Sequence, residues 1–197
     1  ACNSASAVAY ELVKEYVGRK AIVMDVINPM IDYLAKNYID KTIGLIGTKQ
    51  TVNSNIYRKK LDELGINIRL NTLATPLLVP LIEEGFADQA IMTDAIKSYL
   101  SESSLHNLDA LVLACTHYPL IKQPIKQFFK NKTVIIDSTD IVAEVVKNLL
   151  IARDLLSSPS SLSKKKFYVS DYTPAFSALT RLFFKMPILL ERYPLWE

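Results

Sequence analysis

The chain has 197 residues, half of them hydrophobic, a net charge of +3 and two cysteines. That length can bury a core as one large domain or two small ones, the dispersed charge argues against a nucleic-acid footprint, and no apolar run approaches the ~18 residues of a membrane span. Cysteines at positions 2 and 115 alone exclude a disulfide scaffold and fit free thiols in a reducing, cytoplasmic compartment.

Ala1-Cys2-Asn3-Ser4-Ala5-Ser6 leads into an amphipathic helical pattern through Val8, Leu12, Val13, Tyr16 and Val17, which stops at Gly18, a favoured residue just past a helix end. Lys20 to Ile27 reads as a short strand, and Asn28-Pro29 opens a helix over Met30 to Asn37. Lys41 to Ile46 is the next strand. The loop after it, Gly47-Thr48-Lys49-Gln50-Thr51, sets two threonines at a helix start, where they serve either as an ordinary N-cap or as hydroxyls and amides for a carboxylate. A helix from Val52 to Leu64 ends at Gly65, and Ile66 to Leu73 alternates like a strand with one wetter face. Prolines 76 and 80 argue against a long regular helix until after the second, and Glu83 and Glu84 read by themselves as surface carboxylates. Asp88 to Leu100 is an amphipathic helix, and His106 lies in the polar loop that follows, without a role.

The stretch Ala110 to Cys115 is aliphatic but for its thiol, the pattern of a parallel strand buried on both faces, and it breaks into Cys115-Thr116-His117-Tyr118-Pro119. Ligands of open α/β sheets bind beyond the carboxyl ends of the strands, so a thiol, a hydroxyl and an imidazole arrive together where chemistry is expected. Pro119 suits the first position of a helix through Ile121, Ile125 and Phe128, whose amides favour a thiolate. Thr133 to Asp137 is a further strand, Ser138-Thr139-Asp140 caps a helix over Ile141 to Leu156, and Ser157 to Ser163 with Lys164-Lys165-Lys166 reads as a solvated linker. Phe167 to Ser170 is a last strand and Pro174 to Phe184 a last helix. The alternation predicts an α/β fold with largely parallel sheets flanked by helices. No pyridoxal-type lysine motif and no metal-ligand cluster is visible, so no cofactor is expected.

Four stretches, Ala1 to Ser6, Gly47 to Thr51, Pro80 to Gly85 and Ala114 to Pro119, stand in the order and spacing of the glutamate racemases of the aspartate/glutamate racemase superfamily, which the chain resembles over nearly its whole length. The resemblance implies two pseudo-symmetric α/β domains with the active site in the cleft between them. Residues 1–25 and 139–197 would belong to the first domain, incomplete here, and 26–138 to the second. It further implies that Cys2 and Cys115 are acid/base thiols, that Glu83 and His117 assist proton transfer, and that Asn3, Ser4, Thr48, Thr51 and Thr116 hold the amino acid. Ser4 stands where the family more often has Thr and retains the hydroxyl. The family also has a segment before its first cysteine with an Asp-Ser-Gly motif and a further catalytic aspartate. These 197 residues lack that motif and begin at Ala1, so they are expected to be the later part of a longer protein, with little activity by themselves.

The implied activity is cofactor-independent interconversion of L- and D-glutamate, supplying D-glutamate for bacterial peptidoglycan and so for cell-wall biogenesis and cell shape. Glutamate is then the ligand, and a homodimer is compatible with the family. Two groups on opposite faces of the α-carbon, one thiolate and one thiol, avoid moving a single base around the carbanion. A free cysteine of pKa about 8.5 must gain roughly 2 kcal/mol of thiolate stabilisation to reach about 7, from helix amides and a His117 imidazolium. Hydroxyl and amide donors around the carboxylate must stabilise the developing dianion. Three other readings stay open: an aspartate or related racemase, a non-catalytic fragment, and a hydrolase or transferase with Cys115 as nucleophile and His117 as base. The last is disfavoured because residues two apart need not face each other.

Overall fold

Strand β3 (Ala110–Ala114) is buried along its whole length, and its side chains divide by parity between two cores. Ala110, Val112 and Ala114 face one; Leu111, Leu113 and the next residue, Cys115, face the other, as the period-2 alternation of an extended chain requires. These positions come from a computed structural model, in which residues 1–157, 164–171 and 174–194 are described. β3 lies in parallel between β1 (Thr42–Gly47) and β4 (Val134–Asp137), and β1 pairs on its other edge with β2 (Arg69–Ala74), giving the order β2-β1-β3-β4.

Helices cover both faces. On the Ala110 side, α2 (Asn28–Asn37) supplies Met30, Ile31 and Leu34, and α4 (Ile56–Glu63) supplies Tyr57 and Leu61. On the Leu111 side, α5 (Leu78–Glu83), α6 (Ala90–Leu100) and α7 (Lys122–Phe128) supply Leu78, Ile82, Met92, Ile96 and Ile125. The chain passes from β1 to β2 in one direction and returns to add β3 on the opposite side, so the order reverses between β1 and β3. Gly44, in the middle of β1, permits this packing: a Cβ there would overlap Leu108 and stand 2.9 Å from Cδ1 of Leu111. The α/β fold with parallel strands under helices is therefore the one expected.

Several local expectations change. Lys20 to Ile27 is not a strand; among the described residues it has no ladder partner, and Ala21 and Ile22 are exposed. The helix expected over Val52 to Leu64 is two, α3 (Lys49–Asn53) and α4, parted where Asn55 takes the left-handed φ of 56° that asparagine tolerates. α5 begins ahead of Pro80, because first-turn amides have no helical partner to lose. Pro119 is not the first residue of a helix but the second of a 3-10 turn, Tyr118–Ile121, after which α7 begins. α8 (Ser138–Ala152) is capped by Asp137 and not by the residues after it: Thr139 N donates to Asp137 Oδ1 at 2.9 Å. β5 (Phe167–Val169) pairs in parallel with β6 (Leu190–Arg192), a strand the pattern did not show, while α9 (Pro174–Phe184) is as expected. The linker expectation for Ser157 to Ser163 lies, beyond Ser157, outside the described residues. The first helix, α1 (Asn3–Val17), exposes the stripe that predicted it: Val8, Leu12, Val13 and Tyr16 all face solvent, and Asn3 is its one buried residue.

Lys122 of α7 donates to the buried carboxylate of Asp137, joining α7 to the end of β4. Burial works against this charge, but Lys122 and the Thr139 amide more than offset it and hold the carboxyl below its ordinary range. A carboxyl with a depressed folded pKa contributes stability above its unfolded value, near ~3.9, and the contribution is lost as pH falls through the folded value. Asp137→Asn is expected to lower stability at neutral pH and to flatten the acid-side decline in urea titrations below about pH 4. Gly44→Ala is expected to cost about 1–3 kcal/mol in the same titration at neutral pH, through overpacking.

Candidate active site

The register of the sheet brings the site together. Gly47 of β1 lies opposite Ala74 of β2 and Ala114 of β3, so Thr48, Thr75 and Cys115 leave the sheet at one level. They do so beside the order reversal between β1 and β3, where open α/β sheets form a crevice.

Thr48 caps α3, its Oγ1 accepting from Thr51 N at 3.3 Å, so the ordinary N-cap reading holds. The same hydroxyl does more. Ser4 of α1 reaches it at 2.7 Å, and both lie 3.2 Å from Thr51 Oγ1, so the two neighbouring threonine hydroxyls and one from the far start of the chain form one cluster. Each hydroxyl carries one rotatable proton and two lone pairs, and the cluster can reorient to donate to a carboxylate. Asn3, next to Ser4, is 2% exposed; its Oδ1 accepts from the Tyr57 hydroxyl at 2.6 Å.

Cys115 is buried at the end of β3. Burial pushes its thiol up to about 11; the amides of His117 and Tyr118 pull it back, and Cys2 and Glu83 add to the rise. Cys2 is exposed and stands at the N-cap of α1, its carbonyl accepting from Ser6 N at 2.8 Å. The thiolate-favouring amides are thus where the sequence placed them, yet the expected fall toward about 7 does not occur in the chain by itself, because desolvation outweighs them.

His117 turns Nδ1 toward Cys115 Sγ at 4.0 Å and Nε2 toward Glu83 Oε1 at 3.2 Å. Two residues apart, the thiol and imidazole do face each other, against the sequence argument. Glu83 is half-exposed, so it is both a surface carboxylate and a partner of His117. Thr116 is half-buried in the same turn, and His106 is exposed and apart.

Sequence reasoning missed three supports. Tyr118 and Thr75, both fully buried, join their hydroxyls at 2.6 Å, and Thr75 N donates to Gly47 O at 2.9 Å, tying the three strand ends together. Phe183 of α9 packs edge-on against the His117 ring, centroids 5.9 Å apart. Tyr57 holds Asn3. The only signal was an aromatic in an otherwise ordinary place; the pairings span 43 to 66 positions and have no local signature.

A parallel sheet in the order β2-β1-β3-β4 with helices on both faces defines an open α/β protein. The chain belongs to the Asp/Glu/Hydantoin racemase family, whose signature matches residues 1–146. It is 36% identical to a glutamate racemase of Chlorobium phaeobacteroides over 93% of its own length and 67% of that protein. It also resembles the crystal structure of glutamate racemase from Francisella tularensis in complex with D-glutamate, with a TM-score of 0.84 and 31% identity over 98% of this chain and 71% of that one. A glutamate racemase isoform from Bacillus anthracis matches with a TM-score of 0.87 and 28% identity over 98% and 72%. The chain spans about two thirds of the length of the curated relatives it matches. Among the described residues no helix is long and apolar enough to cross a membrane, and no group of His, Cys, Asp and Glu is arranged to hold a metal.

Because a thiol with a folded pKa of about 11 is almost wholly protonated near neutrality, iodoacetamide should alkylate Cys115 slowly at pH 7 in a Cys2→Ala chain. The rate should rise about tenfold per pH unit up to pH 10 and begin to level off only above about 11. Peptide mass spectrometry follows it; a plateau already reached by about pH 9 would contradict the burial argument.

Proposed function

We propose that this chain carries the acid/base machinery for racemising glutamate, with Cys2 and Cys115 working on opposite faces of the α-carbon. The observation that supports the reading is the Ser4, Thr48 and Thr51 hydroxyl cluster beyond the end of β1, with Cys115, His117 and Glu83 in line beyond the neighbouring end of β3. Its similarity to glutamate racemases, one of them in complex with D-glutamate, points to the substrate.

The residues divide the work. Asn3, Ser4, Thr48, Thr51 and Thr116 hold the amino acid and receive charge as its carboxylate becomes a dianion. A thiol at about 11 is costly to ionise but, once ionised, is a stronger base toward an α-proton than one at 7. The α-ammonium of a bound amino acid, placed beside the sulfur, supplies the positive charge that offsets burial. His117, backed by Glu83, relays the proton between Cys115 and water. This route needs no cofactor. Residues 26–138, which hold the whole four-stranded sheet, act as one domain, and residues 1–25 with 139–197 as part of a second, the substrate lying between them. The product would be D-glutamate for peptidoglycan, and a homodimer is compatible with this arrangement.

A second reading is favoured by one distance: Cys115 and His117, 4.0 Å apart, also suit a nucleophile and its base in acyl transfer. The two separate in heavy water. With the full-length protein, the racemase reading expects deuterium at the α-carbon of both glutamate enantiomers, more slowly for aspartate, with no adduct on Cys115 by peptide mass spectrometry. In the full-length protein, Cys2→Ser and Cys115→Ser are each expected to lower racemisation by about 10²–10⁴-fold in both directions, as loss of a positioned acid or base does. An acyl adduct on Cys115 without α-exchange would favour the second reading instead.

A further inference from the structure

Among the described residues, one buried side-chain polar atom has no hydrogen-bond partner: Nδ2 of Asn3. The other end of the same amide is engaged, since the Tyr57 hydroxyl donates to Oδ1 at 2.6 Å. A buried amide donor left alone costs about 1–3 kcal/mol, a cost that remains unless another group supplies the acceptor. An isolated Asn could turn its oxygen either way. Tyr57 removes that choice, because its hydroxyl meets an acceptor only if the oxygen faces α4. Tyr57 is 3% exposed, and burial, reinforced by the Asp25 carboxylate, holds its phenol far above the ordinary range, so it stays a donor at any working pH. Asn3 adjoins Ser4, whose hydroxyl is already in the crevice cluster with Thr48 and Thr51.

We infer that Tyr57 is a positioning residue that sets the polarity of the Asn3 amide, reserving its N–H end for an acceptor brought by the ligand, a carboxylate oxygen. The crevice then discriminates by what a ligand presents at this point: a carboxylate satisfies the amide, while a group offering a donor leaves two donors opposed. The inference rests on the reading of the crevice as an amino-acid site.

The test is a double-mutant cycle read by calorimetric titration of the full-length protein with D- and L-glutamate. Tyr57→Phe keeps the ring and removes the hydroxyl, and is expected to weaken glutamate binding about tenfold, the effect of one hydrogen bond to a charged group. Asn3→Ala is expected to weaken it at least as much. If Tyr57 acts through Asn3, adding Tyr57→Phe to Asn3→Ala weakens binding no further, whereas a purely structural role makes the two losses multiply. Should Tyr57→Phe fail to fold, 15N spectra of the unaltered chain decide: the Asn3 side-chain amide protons are expected to shift downfield with glutamate. Unchanged affinity in Tyr57→Phe, multiplied losses, or unmoved Asn3 protons each overturn the inference while leaving the racemase reading intact. A chain that binds neither enantiomer overturns both.

Discussion

The parallel pairing of β1 with β3 is the constraint on which the crevice depends. Opposing Gly47 to Ala114 sends Thr48 and Cys115 out of the sheet side by side, and the pairing of Gly47 with Ala74 adds Thr75 to the same level. A slip of one residue would turn every side chain of β3 to the other core and exchange Cys115 for a neighbour. That slip is opposed from both faces: Ala110, Val112 and Ala114 leave room for Met30, Leu34 and Tyr57, while Leu111 and Leu113 fill the space toward Met92, Ile96 and Ile125. Close packing of this kind is what gives a thiol at a strand end a defined place.

The same packing creates the chemical tension of the site. Cys115 is well positioned because it is buried, and because it is buried its ionisation is disfavoured. The His117 and Tyr118 amides at the following turn oppose that effect without cancelling it. The buried Thr75-Tyr118 bond, anchored on Gly47, secures that turn. Such an arrangement suits a group that should hold its proton until a cation is beside it, since in a low-dielectric site the neighbouring charge has its largest effect.

The two thiols have unequal support. Cys115 follows a strand covered on both faces, whereas Cys2 caps a helix attached through Asn3 and the Ser4 hydroxyl, with its apolar stripe in solvent. Ser4 and Asn3 hold α1 to the sheet through Thr48 and to α4 through Tyr57.

Strand and helix order was legible because burial on both faces leaves aliphatic runs such as Thr42 to Gly47 and Ala110 to Ala114, and because Gly, Pro and hydroxyl residues punctuate the chain. The expected grouping of Ser4, Thr48 and Thr51 was legible from motifs. Lys20 to Ile27 misled because β-branched composition does not create a pairing neighbour, and the unbroken helix over Val52 to Leu64 misled because Asn55 adopts a backbone state that periodicity does not encode. By itself, then, the sequence determined the α/β class, the thiols and the hydroxyls, all of which are written in residue type and short spacing. Only the tertiary structure decided that Tyr57 holds Asn3, that Tyr118 holds Thr75, that His117 reaches both Cys115 and Glu83, and that burial dominates the Cys115 thiol. Hydrogen-bond partners and desolvation depend on what the fold brings near from distant positions, and no local pattern specifies that.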